Sequence, residues 1–251
     1  MKVLITGASS GIGRSLAIEY ATLGYDLILV ARSKDKLIEL KKEIGVKVEV
    51  ELCSMDLSKI DNCIKLHEQF SDIDILVNNA GFGLFGEFED LDLDKELEMI
   101  DLNIKALHVL MKLYLVDMID KDRGQILNVA SIAGFMSGPL MATYYASKNY
   151  VVSISEAVRE ELRKRKSKVS ISVLCPGPVK TNFDKVANVS FSLKGQSSEM
   201  VARYTIKQLR KGKFYVVPGL NIRFLRGFSR IIPRSLLTKI VYYQQKKKKD
   251  V

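Results

Sequence analysis

The chain has 251 residues, 47% of them hydrophobic and 27% charged, with a formal net charge of +10. Such a composition can bury a full core and excludes a disordered, collagen-like or membrane-bundle chain. No apolar run approaches the ~20 residues of a spanning helix, and Val3-Leu4-Ile5 is too short for the apolar core of a signal peptide.

Cys53, Cys63 and Cys175 are odd in number and far apart, with no CxxC spacing. They read as reduced thiols of a cytoplasmic protein. His67 and His108 are the only histidines and read as ordinary helix residues, not metal ligands. The charge is unevenly placed. No acidic residue stands between Glu199 and Asp250, where there are fourteen Lys and Arg, and the rest of the chain is slightly acidic. The basic character therefore belongs to the C-terminal region. It contains no recognisable nucleic-acid reading module, so nucleic-acid binding is not expected.

Apolar runs alternate with helical patterns along the chain. Strands are predicted at 2–6, 26–31, 46–52, 73–78, 125–130, 169–174 and 213–217. Helices are predicted at 12–23, 34–44, 60–70, 93–118 and 143–165. Continuous apolar strands separated by helices imply a parallel sheet covered on both faces. Short right-handed connections make this α/β chain a doubly wound Rossmann sheet in a single domain.

The stretch TGASSGIG, from Thr6 to Gly13, fills the first strand-to-helix turn. Gly7, Gly11 and Gly13 leave backbone N–H groups open to an anion at the positive end of a helix, where a dinucleotide pyrophosphate docks. The second strand ends in Ala31-Arg32-Ser33, without the carboxylate that would hold an NAD ribose. Arg32 suits a 2′-phosphate and favours NADP(H).

Tyr144 and Lys148 are four residues apart and share one face of a long helix. Ser131 follows the strand ILNVA at the carboxyl edge of the sheet, where ligands bind. Asn103 lies within DLNIKA, inside a predicted helix that a short amide does not favour. Asn78-Asn79-Ala80-Gly81 closes the fourth strand at the same edge.

With these residues the chain resembles the classical short-chain dehydrogenase/reductase family over roughly residues 1–220. TGASSGIG matches the glycine motif, including Ser9, Ser10 and Ile12. Asp56-Leu57 matches the adenine contact, and Asn78–Gly81 the fourth-strand motif. Asn103, Ser131, Tyr144 and Lys148 match the catalytic tetrad, and Pro176-Gly177-Pro178-Val179-Lys180-Thr181 the segment after strand six. The resemblance implies seven strands and reversible NAD(P)-linked carbonyl/alcohol chemistry. It implies that Ile12, Asn79, Ala80 and Gly81 line the cofactor and that Thr181 meets its carboxamide end.

It also implies a division of labour. Tyr144 acts as general acid and base, Ser131 holds the oxyanion, Lys148 holds the nicotinamide ribose, and Asn103 anchors a proton-relaying water. A free tyrosine has a pKa near 10. Bringing it down by about three units requires roughly 4 kcal/mol from the Lys148 ammonium and the cofactor charge.

Residues 182–198 lose clear periodicity and read as a substrate lid. Phe82, Phe85, Phe135, Met136, Met141 and Phe183 are candidates for an apolar pocket that takes a small hydrophobic carbonyl or alcohol. Residues 221–251 form a basic extension beyond the family match. In NIRFLRGFSRII, Phe224, Leu225, Phe228, Ile231 and Ile232 share one side of a helical wheel, and Arg223, Arg226 and Arg230 the other. A peripheral membrane contact and a helix packed on the body or a partner subunit are both open. A homodimer and a homotetramer remain equally open. So do a membrane-associated 3-oxoacyl or lipid ketone reductase and a non-catalytic NADP(H)-sensing regulator.

Overall fold

The apolar runs become strands because helices shield both of their faces. A computed structural model describes residues 1–181, 195–229 and 231–246. The elements run β1 (Lys2–Thr6), α1 (Gly11–Thr22), β2 (Asp26–Ala31), α2 (Lys34–Ile44), β3 (Val50–Ser54), α3 (Ile60–Gln69), β4 (Ile75–Asn78), α4 (Leu93–Ile100), α5 (Leu107–Asp120), β5 (Gln125–Val129), α6 (Ala142–Lys164), β6 (Ser170–Leu174), β7 (Val179–Lys180), β8 (Gln196–Ser197), α7 (Ser198–Leu209), β9 (Tyr215–Val216), α8 (Leu220–Ser229) and α9 (Arg234–Lys246).

Seven strands form one parallel sheet in the order β3-β2-β1-β4-β5-β6-β9. The two central registers pair Lys2 with Asp26 and Val3 with Ile75. Side chains alternate across the sheet. Val3, Ile5, Leu27 and Leu29 pack toward α1, α2 and α7, and Leu4, Ile28 and Val30 toward α3, α5 and α6. Each fully buried Leu, Ile or Val contributes about 1.5–3 kcal/mol. Turning the chain to one side for β2 and β3, then to the other from β4 onward, separates the loops after β1 and β4. The crevice that this leaves at the carboxyl edge is the place where such sheets bind ligands.

Three expectations are corrected. The third strand starts at Val50, not Val46. Gly45 takes a positive φ of 76°, and Val46 stands fully in solvent before pairing begins. The predicted 93–118 helix is interrupted by a π-helical turn over Asp101–Ala106, with Asn103 buried inside it. The proposed lid is partly regular structure: Val179 and Lys180 pair with Gln196 and Ser197, and Ser198 opens α7. The remainder of that lid with Phe183, and Arg230 and Lys247–Val251 of the extension, lie outside the described residues.

The C-terminal extension packs on the body. Leu237 and Val241 of α9 bury against Met136, with Ile132, Phe135, Tyr145 and Ile232 around them.

Candidate active site

Gly7 and Gly11 take positive φ values of 65° and 54°, which allow the tight turn from β1 into α1. A Cβ on Gly11 would come within 2.9 Å of the Thr181 methyl, and one on Gly13 would strike the Asn79 amide and the Gly7 carbonyl. The turn is knitted to the end of β4. The Thr6 hydroxyl accepts the N–H groups of Asn79 and Ala80 at 2.9 and 3.0 Å, and Asn79 Nδ2 donates to the carbonyls of Thr6 and Gly7. Ser10, the residue before α1, makes no side-chain cap. The first-turn amides of a 12-residue helix are therefore left to the crevice, a cradle that fits a pyrophosphate.

The crevice holds about 810 Å³, toward the upper end of the range for ligand sites. Gly7, Ser9, Ser10, Gly11 and Ile12 line one end with Arg32, Asp56 and Leu57; Asn79, Ala80, Gly81, Pro176, Gly177, Val179 and Thr181 continue the wall. Ser131, Tyr144 and Lys148 meet further along the same cavity. Two expected site residues do not line it. Gly13 is buried, and its missing side chain serves the close packing of α1 on the Asn79 amide.

Asn103 is the other. Its Oδ1 accepts the Phe82 N–H at 3.0 Å, and its Nδ2 donates to the Phe82 carbonyl at 2.8 Å and to Ser147 Oγ at 3.1 Å. Ser147 in turn donates to the Tyr144 carbonyl at 2.7 Å. Asn103 thus clamps the backbone after Gly81 to the helix that carries Tyr144. The π turn explains the placement, since such bulges recur at functional sites.

Ser131 follows β5 and caps the short turn Ile132–Phe135, accepting the Ala133 N–H at 3.2 Å. Its hydroxyl lies near that of Tyr144 and favours the phenolate there. Lys148 Nζ donates to the Val129 carbonyl at 3.0 Å and lies 5.8 Å from the centre of the Tyr144 ring. The expected lowering of the phenol by Lys148 is not what the structure shows. Burial pushes Tyr144 well above its ordinary value; Ser131 opposes the rise, and Tyr145 adds to it. Burial also pulls Lys148 down to about 8, so its own charge is disfavoured where it sits.

Arg32 lines the crevice, but its Nη1 is tied to Glu98 Oε1 of α4 at 2.9 Å. Lys36, which sequence reading passed over, lines the same end. Its position four residues after Arg32, one turn into α2, is the signal that could have found it.

At the substrate end Phe82, Met136 and Met141 line the cavity, whereas Phe85 and Phe135 do not. The extension supplies the rest of this wall through Ile222, Leu225, Leu237, Ile240, Val241, Gln244 and Gln245. Gln245 Nε2 donates to the Tyr145 hydroxyl at 2.6 Å. Neither histidine lines the cavity, and no cluster fit to hold a metal ion exists among the described residues.

The family model for short chain dehydrogenase matches residues 1–190, which contain the glycine turn, Asn103, Ser131, Tyr144 and Lys148. The chain belongs to the short-chain dehydrogenase/reductase family. Among short-chain dehydrogenase/reductase relatives, the NADP-dependent 3-hydroxy acid dehydrogenase of Schizosaccharomyces pombe is 36% identical over 192 residues, 73% of each chain. A short-chain dehydrogenase from Sphingobium yanoikuyae, solved with NADPH, superposes with a TM-score of 0.83 at 27% identity and covers 93% of this chain and 97% of its own. A family structure from Burkholderia phymatum, solved with NAD, gives 0.79 at 25% identity and covers 92% of each chain. Nicotinamide cofactor binding and oxidoreductase chemistry therefore come with the short-chain dehydrogenase/reductase fold.

Proposed function

We propose that the protein is an NADP(H)-dependent oxidoreductase that interconverts a fairly hydrophobic carbonyl compound and its secondary alcohol, with Tyr144 as general acid and base. The observation that carries this reading is the convergence of Ser131, Tyr144 and Lys148 on one wall of the crevice, with Lys148 Nζ 5.8 Å from the centre of the Tyr144 ring. A bound nicotinamide supplies or accepts the hydride. The protein provides the proton and the position.

In reduction the Tyr144 phenol gives its proton to the substrate oxygen while Ser131 donates a hydrogen bond to the charge developing there. In oxidation the same phenolic oxygen takes the alcohol proton back. Burial raises the phenol above its ordinary value, so it stands as a proton donor in the absence of a bound nucleotide. Asn103 acts as a positioning residue, holding the Phe82 backbone against the Tyr144 helix.

The glycine turn and the open amides of α1 would hold the pyrophosphate. Arg32 and Lys36, with no carboxylate at the end of β2, would hold a 2′-phosphate. The NADP-dependent relative of Schizosaccharomyces pombe supports the same preference. The apolar side chains of Phe82, Met136, Met141, Leu237 and Val241 favour a hydrophobic substrate.

The test is oxidation of NADPH and of NADH over a panel of ketones and aldehydes. NADPH should support turnover best with the more apolar members. Tyr144→Phe should abolish turnover and keep NADPH binding, read by nucleotide fluorescence. Retained turnover would remove Tyr144 from the chemistry.

A further inference from the structure

The two helices of the C-terminal arm each carry an exposed apolar stripe among the described residues. On α8, Leu220, Phe224 and Phe228 are spaced at i, i+4 and i+8, opposite the buried Ile222 and Ser229. On α9, Leu236, Ile240 and Tyr243 form a second stripe, set apart from the buried Leu237, Val241 and Gln245. Between the helices Ile231 is exposed while Ile232 turns inward. These side chains stand well clear of the surface: Leu220 is 70% exposed, Phe224 79% and Ile231 83%. Each stripe is an exposed apolar patch of the kind that marks a contact surface.

The charges around the stripes have one sign. Lys239 and Lys246 lie along one edge of the α9 stripe on the wheel, Arg223, which donates to the Val217 carbonyl, lies beside that of α8, and no acidic residue interrupts the chain between Glu199 and Asp250. We infer that α8 and α9 form a docking face for an anionic phospholipid bilayer and lie in its interface with Phe224, Phe228 and Ile231 inserted. No helix among the described residues is long and apolar enough to cross a membrane, so the contact is interfacial. A second copy is the poorer occupant. A twofold contact would set the arm's lysines and arginines against their own counterparts, with no carboxylate on α8 or α9 to answer them.

The face also meets the crevice. Leu225 and Ile240 are exposed on the arm and line the cavity at the same time. An apolar substrate dissolved in the bilayer would enter past these two residues without crossing water. That route rests on the reductase reading; the docking does not.

The test is co-sedimentation of the full chain with phosphatidylcholine vesicles, with and without phosphatidylserine. The chain should pellet with the anionic vesicles only and be released by added salt. Lys239→Ala should lower vesicle partition about fivefold, equivalent to ~1 kcal/mol. Phe224→Ser with Phe228→Ser should lower it further, while turnover of a water-soluble ketone stays at the parent level. Failure to pellet, or equal pelleting with both vesicle types, would overturn the inference. So would a concentration-dependent dimer that the two serine substitutions dissociate, which would assign the face to a second copy. Tyr144→Phe should pellet like the parent, so loss of the reductase reading and loss of the docking face are separate outcomes.

Discussion

Asn103→Ala should weaken the fold as well as the turnover. The amide makes three bonds, to the Phe82 N–H, the Phe82 carbonyl and Ser147 Oγ, at 2.8–3.1 Å. Asn103 itself is almost wholly buried, and the Phe82 groups are partly so. A buried polar group left without its partner costs about 1–3 kcal/mol. Partial exposure of Phe82 puts each loss near the low end, so the three together come to about 3 kcal/mol. A chain of this size loses about 2–4 °C of Tm per kcal/mol, so the midpoint in scanning calorimetry should fall by about 6–12 °C. kcat should drop in the same variant because the strand-end loop at Phe82 is no longer tied to the helix that carries Tyr144. KM for NADPH should move little. A Tm within about 2 °C of the parent, combined with lost turnover, would refute the clamp and return Asn103 to a direct part in proton transfer.

Other expected outcomes are simpler to read. Arg32→Ala should raise KM for NADPH far more than for NADH, whereas Glu98→Gln should lower KM for NADPH by freeing the guanidinium it now holds; steady-state kinetics with both nucleotides decide, and equal shifts would detach Arg32 from nucleotide choice. Lys148 has a folded pKa of about 8, below its ordinary 10.5, so between those values the unfolded chain binds the extra proton. Its contribution to stability therefore rises with pH through that window. Urea unfolding at pH 7 and pH 9.5 should show the parent gaining on Lys148→Met at the higher pH, and parallel curves would contradict the assignment.

The parts of the fold that the sequence exposed are those where local pattern and burial agree. β1 and β2 are found at the residues predicted, because unbroken apolar runs bounded by glycine or charge have no competing conformation. The glycine turn, Ser131, Tyr144 and Lys148 were legible because each sits at a strand end or helix face whose geometry follows from spacing. The π turn was not: DLNIKA has an ordinary helical pattern, and the extra residue per turn is forced by the tertiary contacts of Asn103. Val46 failed for the opposite reason, since its alternation with Val48 and Val50 mimics a strand while Gly45 turns the chain into solvent. The arm was half legible. The wheel over 221–232 showed an apolar face, whereas the two faces of α9, one inward against Met136 and one outward, lay beyond it.

The bond between Gln245 and Tyr145 joins residues 100 positions apart. One belongs to the helix that carries Tyr144, the other to a stretch beyond the residues 1–190 that the family pattern spans. The cavity wall is thereby drawn from both parts of the chain, with Phe82, Met136 and Met141 inside the matched residues and Leu237, Ile240 and Val241 beyond them. Grafting the 220–246 segment of another family member in place of this one should transfer carbonyl preference and leave nucleotide preference where it was. Diversification of such enzymes can then proceed by exchanging a wall while the reacting groups stand still.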